Sequence, residues 1–149
     1  MQLARVFYTY HTLQKAMRGG AGLLARASNV NYCDAGDANL TSTRNFIVYG
    51  NLQGLGIPIV QGSLCDGTCL HDLIQFVPER QETNSTTLAL CTCAQGDADS
   101  CDVSMGGRPP DFVVVNLGDS GFPLQLPFAY LSLGTFNLRV SVRMPVTGG

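Results

Sequence analysis

Residues 8–29, YTYHTLQKAMRGGAGLLARASN, hold His11, Lys15, Arg18 and Arg26 and no carboxylate. Read outward from this stretch, Leu3, Val6, Phe7, Tyr10, Leu13, Met17, Gly20 or Ala21, and Leu24 recur at steps of three and four. That spacing predicts an amphipathic helix over residues 3–24 with one continuous apolar stripe. Gly19, Gly20 and Gly22 fall inside it, each costing about 1 kcal/mol against alanine in an exposed helix interior. Glycines at that cost mark either the end of the helix or a close approach by another backbone.

Charge divides the chain unevenly. Arg5, Lys15, Arg18 and Arg26 give residues 1–30 a charge of +4, and the net charge of −2 leaves −6 for residues 31–149. An acidic domain with scattered arginines and a single lysine lacks the clustered cations that phosphate neutralisation needs, so nucleic acid is not an expected partner. The 149 residues, 45% hydrophobic and 13% charged, have the composition of one ordered globular domain. No apolar run approaches the ~18–20 residues that cross a bilayer. MQLARVFYTY also lacks the apolar core of a secretory signal, and the tyrosines and Gly-Gly argue against a mitochondrial presequence.

Cys33, Cys65, Cys69, Cys91, Cys93 and Cys101 form an even set among Gly, Asp, Ser and Thr, the pattern of disulfides in an oxidising compartment. Cys91 and Cys93 stand two apart and would face one side of a strand, so separate partners are expected for them. Cys65 with Cys69, and Cys91 or Cys93 with Cys101, are the expected pairs. A zinc site built from Cys65, Cys69, His71, Cys91 and Cys93 is the weaker reading, because C-x3-C and C-x-C are not paired C-x2-C knuckles. No metal and no cofactor is expected.

Beyond residue 30 the pattern predicts loop over NVNYCDAGDANLTST, then a short strand in RNFIVYG and a Gly/Pro-punctuated loop in NLQGLGIPIVQG. LHDLIQFVPE reads as a short helix ending near Pro78, with Leu70, Leu73, Ile74 and Val77 on one face. TTLALCTC and DFVVVNLGD read as strands. In TFNLRVSVRMP, Phe136, Leu138, Val140 and Val142 alternate with polar residues, predicting a last strand with one buried face. The expected architecture is α+β, a long N-terminal helix packed on an antiparallel sheet with disulfide-stapled loops. It divides into a stem over residues 1–30 and a β-rich head over residues 31–149.

Catalytic constellations are sparse. Ser120 in LGDSGFP matches the GDSG string of trypsin-like proteases, yet one string without a positioned His and Asp supplies no triad. Gly118, Asp119, Ser120 and Gly121 read better as a turn between strands. GNLQGLG lacks the Lys-Ser/Thr of a phosphate loop, and DADSCD lacks the Gly and terminal Glu of a calcium loop. An enzyme is not the expected class.

Four segments, in this order, resemble TadE/TadG-like pseudopilins of the bacterial tight-adherence (Flp-type) type IV pilus system. RVFYTYHTLQKAMRGGAGLLAR is similar to the family's stem helix, and TRNFIVYGNLQGLGIPIVQG to the strand and YG turn after it. LALCTCAQG with Cys101 resembles the cysteine-bearing hairpin, and PDFVVVNLGDSGFPLQLPFAYLSLGTFNLRVSVRMP the terminal strand pair joined through a "PF" segment. The resemblance implies a pilin-like subunit at the bacterial cell surface, in the periplasm or in an extracellular filament. It would have other pilin-like subunits as partners and a membrane anchor upstream of MQLARVF. Arg5 stands where a mature type IV pilin has its glutamate, so the resemblance does not extend to prepilin-type cleavage at Met1. On this reading Leu3, Val6, Phe7, Tyr10, Leu13, Met17, Gly20 and Leu24 form the assembly face, the upper half against its own sheet and the lower half against other subunits or lipid. The alternative is a secreted adhesin or binding module acting alone through loops 50–67 and 94–110.

Overall fold

The computed structural model describes residues 2–60, 67–81, 87–95, 100–118, 121–125 and 135–147, without the side chains of residues 2, 3, 67–69, 123–125 and 135–136. Helix α1, Gln2–Arg26, continues through all three glycines rather than ending at them. Its last turn is tied down from the far end of the chain, where the Thr147 N–H donates to the Ala25 carbonyl at 2.9 Å. This satisfies one of the carbonyls that a helix C-terminus leaves open.

A second helix, α2, spans Ala38–Tyr49. It replaces the loop expected over its first half and the strand expected in RNFIVYG. Two local signals specify it. The Asp37 carboxylate accepts from the Asn39 and Leu40 N–H groups as the N-cap, and Gly50 in the left-handed conformation donates to the Phe46 carbonyl at the other end. Between the caps Leu40, Thr43, Ile47 and Val48 are buried, a spacing of three, four and one that only a helix brings to one face. Helix propensity differs by only tenths of a kcal/mol between β-branched and other ordinary residues, so caps and burial override the strand-like composition.

Helix α3, Gly67–Leu73, is shorter than expected, and the chain turns at Ile74 into strand β1, Gln75–Gln81. Val77 and Pro78 therefore belong to a strand. The Pro78 carbonyl accepts from the Cys91 N–H just beyond β2, Leu88–Leu90, so its ring nitrogen faces away from β3 and the ladder between β1 and β3 loses no bond. A 3-10 turn at Val103–Met105 precedes β3, Phe112–Asn116, and β4, Phe122–Gln125. The last alternating run divides into β5, Thr135–Leu138, and β6, Ser141–Pro145, which lie in different sheets. Period-two alternation passes through this switch because Leu138 and Val140 are both buried while Asn137, Arg139 and Ser141 are exposed.

The molecule is thus α+β, with an N-terminal helix and an antiparallel four-stranded sheet in the order β2-β1-β3-β6, plus the β4-β5 pair. Register places Phe76, Val115 and Val142 in one cross-strand row and Pro78, Val113 and Met144 in the next. Cross-strand neighbours share a face, and this face receives α1. Helix α2 then packs on the flank of α1, so that Leu13, Met17, Ala21, Ile47, Val48 and Val115 form one continuous core. Among the described residues two disulfides staple the loops. Cys33–Cys93 joins the segment after α1 to the segment after β2, and Cys91–Cys101 closes the adjoining loop. Cys65 lies outside the described residues, as does the side chain of Cys69, and the expected bond between them with it.

The glycine requirement on α1 is strictest at Gly20, with a lesser squeeze at Gly19, where a Cβ would stand 3.1 Å from Phe46 Cε1. A Cβ on Gly20 would stand 2.5 Å from Ile47 Cγ1 and 2.8 Å from its Cδ1, whereas a Cβ on Gly22 would meet Met144 Cε at an ordinary 3.5 Å. Gly20→Ala therefore overpacks, at about 1–3 kcal/mol, and outweighs the roughly 1 kcal/mol of helix propensity it gains. Gly22→Ala keeps the gain. Urea denaturation should place the two midpoints on opposite sides of the parent protein, Gly20→Ala below and Gly22→Ala above.

The disulfides span 60 and 10 residues. Loop-closure entropy makes the longer worth about 4 kcal/mol and the shorter about 3 kcal/mol. Paired serine substitutions, Cys33→Ser with Cys93→Ser against Cys91→Ser with Cys101→Ser, should rank in that order by chemical denaturation.

Candidate functional site

The expected assembly stripe divides when placed in the fold. Leu13, Met17, Gly20 and Leu24 are enclosed by the chain's own sheet and α2, and Val6 and Tyr10 pack against the same core. Leu13, Met17, Gly20 and Leu24 are therefore taken up by packing within the chain, while Val6 and Tyr10 stay partly exposed. Residues 1–30 and 31–149 share one core here, since Leu13, Met17, Ala21 and Leu24 are buried in it. Of the stripe, Phe7 remains open at 56% exposure, and the Leu3 side chain lies outside the described residues.

Exposed apolar side chains nevertheless remain, on α1 and in the loop after α2. Tyr8 is 72% exposed beside Phe7, and Leu55 and Ile57 in the loop after α2 are 71% and 73% exposed. That loop is braced by side-chain amides rather than by regular structure. Asn51 donates to the Leu55 carbonyl at 2.7 Å and accepts the Leu55 N–H at 3.1 Å, while Asn45 donates to the Leu52 carbonyl. The Ile59 N–H donates to the Val48 carbonyl at 2.8 Å, pinning the loop to α2. Between the loop and the helix lies a cleft of about 290 Å³ walled by Arg5, Tyr8, Thr9, Thr12, Ile59 and Val60. Large side chains held out by a hydrogen-bonded scaffold are the composition expected of an interaction surface.

Charge follows the same helix. His11, Lys15, Arg18 and Arg26 are all exposed on α1, which has no acidic residue to offset them. The opposite sign gathers beyond its C-terminal end. Asn31 donates through its backbone to Asp37 and through its side chain to Asp102, bringing two carboxylates together near the exposed Asp34. Hydrogen bonds from the Ser104 hydroxyl, the Ser104 backbone and Asn31 hold the Asp102 carboxyl below its ordinary range. The described part of loop 94–110 is anchored from below by Arg80, whose guanidinium donates to the Arg108 carbonyl at 2.7 Å and contacts Cys101 Sγ at 3.2 Å.

The remaining candidates resolve differently. Cys91 and Cys93 are bonded to Cys101 and Cys33, which takes both out of any zinc site, and His71 faces Asp72 at 4.0 Å. Among the described residues no group of three metal-ligating side chains is found. Gly118 and Gly121 take left-handed conformations between β3 and β4, while Asp119 and Ser120 lie outside the described residues. Among the described residues no helix is long and apolar enough to cross a membrane. The two disulfides suit an oxidising compartment outside the cytoplasm. No family model, curated protein or solved structure matches the chain.

Leu55 and Ile57 have no periodic signal in the sequence, since nothing in LQGLGIPI distinguishes an outward apolar side chain from an inward one. The braced surface predicts a clear separation in stability. Phe7→Asp should leave the thermal midpoint nearly unchanged, whereas Leu13→Ala should cost about 2–5 kcal/mol. Equal losses would show that Phe7 is a core residue.

Proposed function

We propose that this protein is a structural, pilin-like subunit of an extracellular filament, or of the apparatus that assembles one, acting in adhesion through packing of α1 against other subunits. The observation that carries the reading is the exposure of Phe7 and Tyr8 on α1 and of Leu55 and Ile57 in a loop braced by hydrogen bonds. Burial of such side chains is worth about 1.5–3 kcal/mol each, enough that four together favour association. The order of segments that resembles the TadE/TadG-like pseudopilins supports the same reading, as does the disulfide-bonded head. The partners would be further pilin-like subunits, and the location the bacterial cell surface, the periplasm or the filament itself.

A second reading has its own observation. Leu52, Leu55 and Ile57 lie in one braced loop that faces solvent independently of α1, as a stand-alone adhesin or binding module would require. Sedimentation velocity separates the two. The filament reading predicts self-association that grows through the micromolar range and is lost in Phe7→Asp and in Ile57→Asp. A monomer at every concentration, unaltered by either substitution, would leave the binding-module reading standing in its place.

A further inference from the structure

On another side of the head a second cleft, of about 320 Å³, opens between α2 and the start of β1. Leu40, Phe76 and Val77 give it apolar walls, and Arg44, Gln75 and Tyr32 bring polar groups to it. Such a volume is at the small end of ligand-binding pockets, and a few polar groups on an apolar lining is their usual composition.

Arg44 is positioned rather than loose. Its Nε–H donates to the Ile74 carbonyl at 3.4 Å, and its guanidinium carbon stands 4.9 Å over the centre of the Phe76 ring. These two contacts fix the plane of the guanidinium and leave its terminal nitrogens, which form no ion pair among the described residues. Burial pulls the guanidinium down from its ordinary value while the Asp72 carboxylate pushes it up. A planar cation held by its Nε and one ring face presents the forked donor pair that a carboxylate accepts with both oxygens.

Tyr32 closes one side of the cleft. Only 9% exposed, it forms a wall shared by this cleft and a smaller crevice of about 60 Å³, and its buried hydroxyl has no hydrogen-bond partner among the described residues. Burial first and the nearby Asp37 second push its pKa up to about 12, so it remains a protonated donor at neutral pH. Asp37 itself is already engaged by three backbone N–H groups, those of Asn31, Asn39 and Leu40.

We infer that the Arg44 cleft is a binding site for a small organic carboxylate with a compact apolar body, its carboxylate on the guanidinium fork and its body against Leu40 and Val77. This site lies apart from the apolar surface on α1 and does not depend on that surface's role. A neutral amide of the same shape would lose the charge-assisted pair, and a bare inorganic anion would lose the apolar contact.

Sodium benzoate is the probe, with benzamide and inorganic phosphate beside it, followed by amide shifts in heteronuclear NMR of the full chain. Benzoate should give saturable shifts at Arg44, Gln75, Phe76 and Val77 with a dissociation constant of about 1 mM or tighter. Benzamide and phosphate should not saturate. Arg44→Gln should weaken benzoate at least tenfold, and Arg44→Lys should weaken it although the charge is kept. Absence of saturable benzoate shifts at residues 44 and 75–77 would overturn the inference. Equal binding of benzamide or of phosphate would do the same, and both readings use the parent protein even if an Arg44 variant fails to fold.

Discussion

The contact between Gly20 and the pair Ile47 and Thr43 sets the rest of the structure. With no side chain at Gly20, the backbone of α1 comes close enough for Ile47 to fill the space a methyl group would occupy. That approach lets α1 occupy two interfaces at once, with α2 on one flank and the Val115 and Met144 rows of the sheet on the other. Once both are made, the apolar stripe of α1 is spent inside its own domain. What remains for partners is the narrow solvent-facing side, with Phe7 and Tyr8 near its start and a line of cations along it.

Helix α1 was legible in the sequence because its period is unambiguous over seven turns, and the strand in FVVVN because a short β-branched run between turn residues has few alternatives. Helix α2 was not legible from composition, since Phe, Ile, Val and Tyr close its second half. Its evidence was positional, in the Asp37 cap, the Gly50 terminus and the spacing of Leu40, Thr43 and Ile47. Pro78 misled for a different reason. A proline ends a helix but also fits a strand wherever its missing N–H faces an unpaired edge, and only the register with β2 shows which applies. The division of the last alternating run between two sheets left no trace, because alternation of buried and exposed residues survives the switch.

The apolar stripe was legible, but the second helix that covers one flank of it was not. Periodicity states that one side of a helix leaves water; it does not state what covers that side. Here the cover is the chain's own sheet and second helix, and the surface left for other molecules is built partly from a loop whose apolar residues follow no period. The Asn45 and Asn51 brackets explain how that loop keeps Leu55 and Ile57 in water. A filament subunit can use such an arrangement without an exposed stem, provided the partner supplies a matching apolar face. The two disulfides and the Arg80 anchor then serve the opposite end, holding the loops that carry the acidic side chains.

Native-state hydrogen exchange along α1 tests this account most directly. Amides of residues 13–24 should exchange only through global unfolding, because the helix there is enclosed on two sides, while amides of residues 6–8 should open locally and gain protection as the protein concentration rises. Early exchange across residues 13–24, or protection of residues 6–8 that is complete and independent of concentration, would contradict it.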